Sequence, residues 1–361
     1  MWDAKPARLL KMMPHTLVFF LPSEDLVYVP LQLAECLEKM GGNLQSLNVP
    51  CLITSGALLP LQKLKWLSCG GVIHGVDWKQ NDLNCPLPVM PIMESLQSLF
   101  IRDMGTVGSG NQMDRSQRIS AFPSLTELKI DCTSRVAIDE LGTCSLLQSL
   151  TLGGRNITYF SGGRSAHMGD GVIARLAKFY LPTLTRFELM DAPYVSDTRP
   201  LSIFGKTLNV LHLGGCGIKG RPSYLPTDLP FLKTLMIPWN TTVKSLGNYP
   251  LLERLECSHE THSLVWQKNI PLFSNYPMLS HFEISGFRHL TVEYLEFMML
   301  HMPHLKTIET HEPAETQENM AGPRVCFSAN AIKQWIHTQR DRSMYVSFAK
   351  LHETLDNSTK D

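Results

Sequence analysis

The chain has 361 residues, of which 43% are hydrophobic, so it has ample material for a folded core. Lysine and arginine number 33 and so do aspartate and glutamate. This balance disfavours a nucleic-acid-binding surface, which normally carries a basic excess.

The number of cysteines, nine, is odd, their spacing is wide, and no two of them form a CxxC pair. A zinc site or a disulfide framework needs tighter, paired spacing, so we expect reduced and mostly buried thiols in a cytoplasmic or nuclear protein. The cysteines are Cys36, Cys51, Cys69, Cys85, Cys132, Cys144, Cys216, Cys257 and Cys326.

The N-terminus predicts neither a secretory signal nor a membrane span. Its basic residues are followed by an apolar run of only five residues, Leu17 to Leu21, which is shorter than a signal requires. No stretch of the sequence approaches the roughly 18 apolar residues that cross a membrane. We therefore expect no membrane partner.

An internal repeat L-x-x-L-x-L runs along most of the chain, at a mean spacing of about 26 residues. Its last two positions are two residues apart and share one strand face, which points into a common core. A single repeat cannot close that core, so neighbouring repeats must stack and form a parallel sheet. The eleven copies are Leu44/Leu47/Val49, Leu64/Leu67/Cys69, Leu96/Leu99/Ile101, Leu125/Leu128/Ile130, Leu147/Leu150/Leu152, Leu184/Phe187/Leu189, Leu208/Leu211/Leu213, Leu232/Leu235/Ile237, Leu252/Leu255/Cys257, Leu279/Phe282/Ile284 and Leu305/Ile308/Thr310.

A degraded twelfth copy is predicted at the start, with Thr16, Phe19 and Leu21 in the three positions. Pro6 to Met12 before it is interpreted as the helix of a repeat whose own strand is absent. Since an array needs a capping element at each end, we expect the chain to be a truncated member of a longer protein.

Helices are expected on the outer side of the array. The apolar spacing predicts them around Leu31 to Met40, over Gly171 to Tyr180 and over Thr291 to Met302. Six copies carry an apolar residue and a proline just before the first leucine, and we expect these prolines to end the outer helices. The six pairs are Phe122-Pro123, Leu181-Pro182, Leu229-Pro230, Tyr249-Pro250, Tyr276-Pro277 and Met302-Pro303.

The organisation that follows is an α/β leucine-rich-repeat solenoid, a right-handed horseshoe with the parallel sheet on its concave face and helices and loops on its convex face. The irregular array is expected over residues 1–311, a polar loop over 312–327, a C-terminal capping helix region over 328–349 and a disordered tail over 350–361. Ser328 to Arg340 is predicted as the capping helix, with Ile332, Trp335 and Ile336 on its apolar face.

The stretch from Gly169 to Leu189 resembles one repeat of the leucine-rich arrays in F-box proteins, within the wider group of ribonuclease-inhibitor-like solenoids. The resemblance covers roughly residues 13–311 and is specific for the fold. It implies an array that captures a substrate, next to an F-box that binds a Skp1-type adaptor of a cullin ubiquitin ligase. No F-box is recognisable here, although Leu21 to Leu26 echoes its opening, so the adaptor is expected only if an F-box lies upstream.

The sequence offers no motif for catalysis, metal or cofactor. Gly105 to Gly110 lacks the lysine of a phosphate loop, and His259 and His262 stand one residue too close for HExxH zinc ligation. No GxSxG nucleophile elbow occurs. We therefore expect a protein that is not an enzyme and needs no cofactor or metal.

Function is then expected on the concave face, in two columns of side chains that flank the inward leucines. An aromatic and arginine group of Trp66, Phe100 and Arg102 is predicted to be exposed and has the composition of an interface hot spot. A second group is an acidic stripe with basic residues beside it; its alternative role is a solvated surface that keeps the sheet soluble. It consists of Glu256, Glu283, Glu309, Arg186, Arg254, His281 and His212.

Two functions follow as expectations. The first is a protein-interaction scaffold, most like the substrate-recognition part of an F-box ubiquitin ligase subunit, with a protein partner on the concave face. The second is an inhibitor or regulatory sensor that binds a partner enzyme directly.

Overall fold

The computed structural model has an α/β fold with a mostly parallel sheet and few helices among the residues it describes. The chain divides into two compact units, Met1–Thr185 (unit 1) and Arg186–Asp361 (unit 2). A single array over 1–311 stays a prediction. The described residues are 9–13, 15–19, 37, 39, 41–73, 92–102, 119–131, 136–153, 158–161, 164–167, 169–179, 181–190, 192, 194–214, 216, 224–238, 247–258, 276–285, 292–311 and 324–338.

The strands of unit 1 pair mainly with the next strand along the chain. The main sheet has the order β1-β2-β3-β4-β5-β6-β8, parallel throughout except for β1 against β2. A small sheet has the order β10-β9-β7. The strands are β1 Leu9–Met13, β2 Thr16–Phe19, β3 Ser46–Thr54, β4 Trp66–Ile73, β5 Ser98–Arg102, β6 Glu127–Asp131, β7 Val136–Ala137, β8 Ser149–Gly153, β9 Thr158–Ser161 and β10 Arg164–His167.

Unit 2 repeats this arrangement with seven strands among its described residues. Strands β11 to β16 pair in parallel in chain order, and β17 closes the edge antiparallel to β16. Residues 324–327 of strand β17 belong to the stretch 312–327 that was expected to be a polar loop. A strand forms there because its backbone pairs with the otherwise open edge of β16. The strands are β11 Arg186–Leu189, β12 Val210–His212, β13 Thr234–Pro238, β14 Arg254–Ser258, β15 His281–Ser285, β16 Thr307–His311 and β17 Arg324–Ser328.

Four α-helices and four 3-10 segments connect the described strands. Three of the helices overlap predicted ones. Helix α2 overlaps the prediction for 171–180, α3 the prediction for 291–302 and α4 the prediction for 328–340. The predictions for 31–40, apart from residues 37 and 39, and for 339–361 lie outside the described residues. The helices are α1 Ser55–Leu58, α2 Asp170–Leu176, α3 Val292–His301 and α4 Ala329–Thr338; the 3-10 segments are Gly41–Asn43, Ile119–Ala121, Ile138–Thr143 and Arg199–Phe204.

Strand register places the leucine repeat as the sequence predicts. In unit 1 Leu67 pairs with Leu47 and Leu99, and in unit 2 Leu235 pairs with Leu211 and Leu255. Every described side chain at the repeat positions is buried, with at most 5% of its surface exposed. The side chains of Cys257, Ile284 and Thr310 lie outside the described residues. Each buried leucine or isoleucine contributes roughly 1.5–3 kcal/mol, which makes this face of each sheet the core.

The prolines before the first leucines stand in tight turns. In Leu229-Pro-Phe-Leu232 the N–H of Leu232 donates to the carbonyl of Leu229 at 3.0 Å, which makes Pro230 the second residue of a β-turn. The same bond recurs at the other five proline pairs. Proline suits that position because its φ is already close to the turn value. The apolar residue before each proline is buried and anchors the turn to the core.

Two predictions about the N-terminus are wrong. Leu9–Met13, within the segment interpreted as a helix, forms strand β1. In the degraded copy, Leu17 pairs with Leu47, so Leu17 takes the second repeat position that was assigned to Phe19. A shift of two residues keeps the same side chains on the same strand face, and the apolar pattern therefore could not distinguish the two registers.

Away from the sheet of unit 2, two tyrosines join successive repeats. The Tyr249 hydroxyl donates to the Pro226 carbonyl at 2.5 Å, and the Tyr276 hydroxyl donates to the Gly247 carbonyl at 2.7 Å. The two rings stack with centroids 5.9 Å apart. Burial raises the pKa of Tyr249 above its usual range and that of Tyr276 to about 12. A Cβ atom on Gly247 would lie 2.4 Å from the Pro226 carbonyl oxygen, so this close approach requires glycine.

Candidate functional site

The polar face of the unit 2 sheet lies opposite its leucine face, because successive side chains of a strand alternate. Strand register brings the two predicted columns together on it, each member beside its counterpart on the next strand. The first column is Arg186, Val210, Thr234, Arg254, His281 and Thr307, and the middle column is Glu188, His212, Met236, Glu256, Glu283 and Glu309.

Arg254 is the centre of an ion-pair network on this face. Its Nε donates to Glu256 at 2.8 Å, and its Nη2 donates to Glu309 at 2.7 Å and also to Glu283. The side chain of Arg254 is 26% exposed and the three carboxylates are 15–16% exposed. Burial alone would lower the pKa of Arg254, but the hydrogen bond to Glu283 and the charges of the three glutamates together raise it.

His212 extends the network across β13. Its Nδ1 lies 3.2 Å from Glu188 Oε1, and its Nε2 lies 3.6 Å from Glu256 Oε2. Glu188 also accepts a hydrogen bond from Arg186 Nε at 2.7 Å. We call these seven side chains the charged row: Arg186, Glu188, His212, Arg254, Glu256, Glu283 and Glu309.

The charged row carries four carboxylates and two guanidinium groups, so its charge is −2 with His212 neutral. The carboxylates are 12–16% exposed and are ion-paired with Arg186, His212 or Arg254. The row is therefore a surface of ion-paired hydrogen-bond acceptors, and both of its predicted roles, a binding surface and a solvated surface that keeps the sheet soluble, stay predictions.

His281, predicted beside the acidic stripe, stands in the first column between Arg254 and Thr307, and its Nδ1 lies 2.8 Å from the hydroxyl of the neighbouring Ser280. Glu188 was not among the predicted site residues, although it stands in the middle column of the repeat. Its place in that column was the signal that could have identified it as a site residue. It was missed because it lies far in sequence from the other glutamates.

The described aromatic side chains of the predicted aromatic and arginine group of unit 1 are partly exposed. Trp66 and Phe100 are half-buried on neighbouring strands, and Lys129 Nζ lies 4.7 Å from the centre of the Phe100 ring. The cation covers part of the aromatic surface that was expected to be free. The backbone of Arg102 pairs with Asp131 on β6, and its side chain lies outside the described residues.

Small polar side chains on this face of unit 1 are buried as well. Ser68 is 0% exposed and Thr151 is 5% exposed. The Ser68 hydroxyl has no hydrogen-bond partner within the described part of the chain. A buried hydroxyl without a hydrogen-bond partner costs stability, and Ser68 is in this position beside Phe100 on the neighbouring strand.

The described ranges contain no group of three or more His, Cys, Asp or Glu residues arranged to hold a metal ion. None of the helices described is long and apolar enough to cross a membrane. Cys69, Cys144 and Cys216 are buried, whereas His259, His262 and 105–110 lie outside the described residues.

Neither a protein-family model nor a curated protein matches this chain. The resemblance to F-box arrays therefore stays a prediction.

Proposed function

We propose that both units are stretches of leucine-rich-repeat solenoid, and that the chain is a non-catalytic scaffold whose unit 2 binds a partner protein. Three properties support the solenoid: parallel strands that pair in chain order, a repeat whose described side chains are buried, and a tight turn before the strand of each proline-marked repeat. A solenoid of this kind presents its sheet as an extended binding surface.

The charged row is the observation that carries the binding role. Exposed or half-buried ion pairs contribute little net stability, so folding alone gives little reason to assemble seven such groups in one row. Groups held in place on strands bind a partner at a lower entropic cost than mobile side chains do. The row therefore suits recognition of a partner with complementary hydrogen-bond donors.

The resemblance to F-box arrays suggests the kind of partner. We propose a substrate-recognition role in a cullin ubiquitin ligase, in the cytoplasm or nucleus, with the adaptor bound by a segment other than the described repeats. This part rests on the resemblance alone.

The scaffold role is tested by affinity purification of the whole chain followed by mass spectrometry. The face variant is Glu283→Gln/Glu309→Gln, and its matched control is Glu293→Gln/Glu296→Gln, which removes the same charge from exposed positions of α3. We expect the face variant to lose partners that the wild type and the control retain. Identical partner sets for all three proteins would overturn the proposed binding surface.

A parallel arm contains Trp66→Ala/Phe100→Ala in unit 1. We expect its partners to match those of the wild type, since both side chains are half-buried; their loss would move the binding surface to unit 1.

The ligase role has its own readout, which is the presence of a Skp1-type adaptor among the proteins that the natural protein captures. Partners captured without an adaptor would overturn the ligase role, leave the scaffold in place and favour a direct inhibitor or sensor.

A further inference from the structure

Three turns at the edge of the unit 2 sheet expose large apolar side chains. Phe231, Leu251 and Met278 each directly precede a first leucine of the repeat, and they are 49%, 37% and 49% exposed. We call these three residues the turn stripe. Single exposed apolar residues are ordinary on protein surfaces, but a contiguous set marks an interaction site.

Strand register makes the turn stripe contiguous. The strands that follow the three turns, β13, β14 and β15, are neighbours paired in parallel without a register shift. Corresponding turn residues therefore lie side by side at about the strand spacing of 4.8 Å, and the stripe spans roughly 10 Å.

Folding does not require apolar residues at this turn position. In unit 1 the same position holds Ser95 and Thr183, whose hydroxyls donate to the carbonyls of Leu64 at 3.0 Å and Leu147 at 2.9 Å in the preceding turn. Leu146 is the exposed apolar residue of that unit at this position, and its neighbours in the column are Ser124 and Thr183. Three consecutive apolar residues in unit 2 therefore point to a role in binding.

The charges beside the turn stripe define what it accepts. Lys233 and Glu253, directly before β13 and β14, pair with each other at 3.5 Å. Beyond them the charged row contributes −2, and the surface stays net negative even with the exposed Lys306 of the following turn included. An apolar edge beside a negative surface is complementary to a segment that is apolar on one side and basic on the next.

The dimensions favour an α-helix as that segment. Apolar residues at positions i, i+3 or i+4, and i+7 of a helix span about 10.5 Å, which matches the length of the stripe. Leu251 and Glu256 are five residues apart, at most about 16 Å along a strand. A helix of about 10–12 Å diameter that lies across the strands on the turn stripe covers most of this distance. Long lysine or arginine side chains on its outer flank extend toward the charged row.

We propose that unit 2 docks a basic amphipathic helix of a partner protein, with the helix's apolar residues on the turn stripe and its lysine or arginine residues toward the charged row. This names the chemistry of the partner and rests on the proposed scaffold function. An anionic lipid surface is disfavoured because the charged row would repel it.

The test measures binding of fluorescent synthetic peptides to the whole chain by anisotropy. The probe is an 18-residue lysine and leucine peptide with an amphipathic helical pattern (a length of about five turns); the comparisons are a scrambled peptide of the same composition and an amphipathic peptide with glutamate in place of lysine. We expect the probe to bind at least about tenfold more tightly than either comparison, with an affinity that falls as salt rises. Equal binding of the scrambled peptide would overturn the proposal, because charge attraction alone would then explain it.

The protein variants locate the site. Phe231→Ser/Leu251→Ser/Met278→Ser removes the stripe, and Ile203→Ser/Leu300→Ser is the matched control at exposed apolar positions elsewhere in unit 2. We expect the stripe variant to weaken probe binding by about tenfold or more, the control to leave it unchanged, and both to unfold at temperatures close to that of the wild type. Undiminished binding to the stripe variant would overturn the proposal. If the face variant Glu283→Gln/Glu309→Gln still loses cellular partners while no peptide binds, the docked helix is wrong and the scaffold function stands.

Discussion

The two units share a leucine framework and differ in nearly everything that surrounds it. In both, parallel strands bury the repeat positions, and a tight turn precedes the strand of each proline-marked repeat. On the polar face of unit 1, Ser68 and Thr151 are buried and Lys129 covers Phe100. The corresponding face of unit 2 carries the charged row.

The turns differ in the same way. Ser95 and Thr183 of unit 1 hydrogen-bond to the preceding turn, whereas unit 2 exposes the turn stripe. The leucines must be apolar to form the core, but the columns beside them can change without unfolding the repeat. Partner recognition is therefore expected where those columns differ from unit 1, whose residues are small or form hydrogen bonds within the unit.

The largest expected effect tests whether the framework is equivalent in the two units. Leu128→Ala and Leu255→Ala each truncate a fully buried leucine at the same repeat position. We expect each to lower the free energy of unfolding by about 2–5 kcal/mol, because each leaves a cavity in a packed core. Urea denaturation followed by circular dichroism measures both. A cost below about 1 kcal/mol in either unit would show that its leucines are not tightly packed.

The next effect separates the charges of the two polar faces. Arg254→Met leaves three carboxylates together without their shared cation, and we expect a loss of about 1–3 kcal/mol at neutral pH, reduced by partial solvent exposure. Lys129→Met is the matched change in unit 1, where it removes a cation over an aromatic ring and is expected to cost about 0.5–1 kcal/mol. The cost of Arg254→Met should shrink as salt is added, because salt screens the repulsion among the three partly exposed carboxylates; a cost independent of salt would contradict an electrostatic origin.

The tyrosine contacts of unit 2 provide a smaller effect. Tyr249→Phe removes a buried hydroxyl donor from the Pro226 carbonyl, and we expect a loss of about 0.5–1.5 kcal/mol in thermal or urea unfolding. Phe122, the turn anchor at the equivalent position of unit 1, has no such hydroxyl, so the contact belongs to unit 2.

These tyrosines also predict how stability depends on alkaline pH. A folded-state pKa raised from 10 to about 12 for Tyr276 means that its stabilising effect is complete below pH 10 and is lost as the pH rises toward 12. Tyr276→Phe should therefore reduce the decline in stability between those values, measured by urea unfolding at each pH. An unchanged decline would show that other groups cause it.

The smallest expected effect is a gain in stability. Ser68→Ala removes a buried hydroxyl that lacks a partner in the described structure, and we expect a gain of up to about 1 kcal/mol. Ser98→Ala, at a partly exposed position of the neighbouring strand, should change stability by less than about 0.5 kcal/mol. A clear loss of stability in Ser68→Ala would mean that the Ser68 hydroxyl has a hydrogen-bond partner.

Much of the site could be anticipated from columns of the repeat. The spacing alone placed Glu256, Glu283 and Glu309 on adjacent strands beside Arg254, and strand register confirms that arrangement. It could not show that one guanidinium serves all three carboxylates, since side-chain direction depends on packing. Nor could it show that His212 reaches Glu256 across β13, because a column gives the order of the strands and not the reach of a side chain.

The sequence by itself determined where the strands of the eleven repeat copies form and which side they bury, because apolar residues two positions apart lie on one face of a strand and leave water together. It also located the turns through proline, whose backbone angle is set by its own ring. Tertiary structure decided the rest: the register of Leu17, the added strand β17, the network around Arg254 and the exposure of the turn stripe. Each of these depends on which backbone or side chain comes to lie alongside, and that contact exists only once the repeats have stacked.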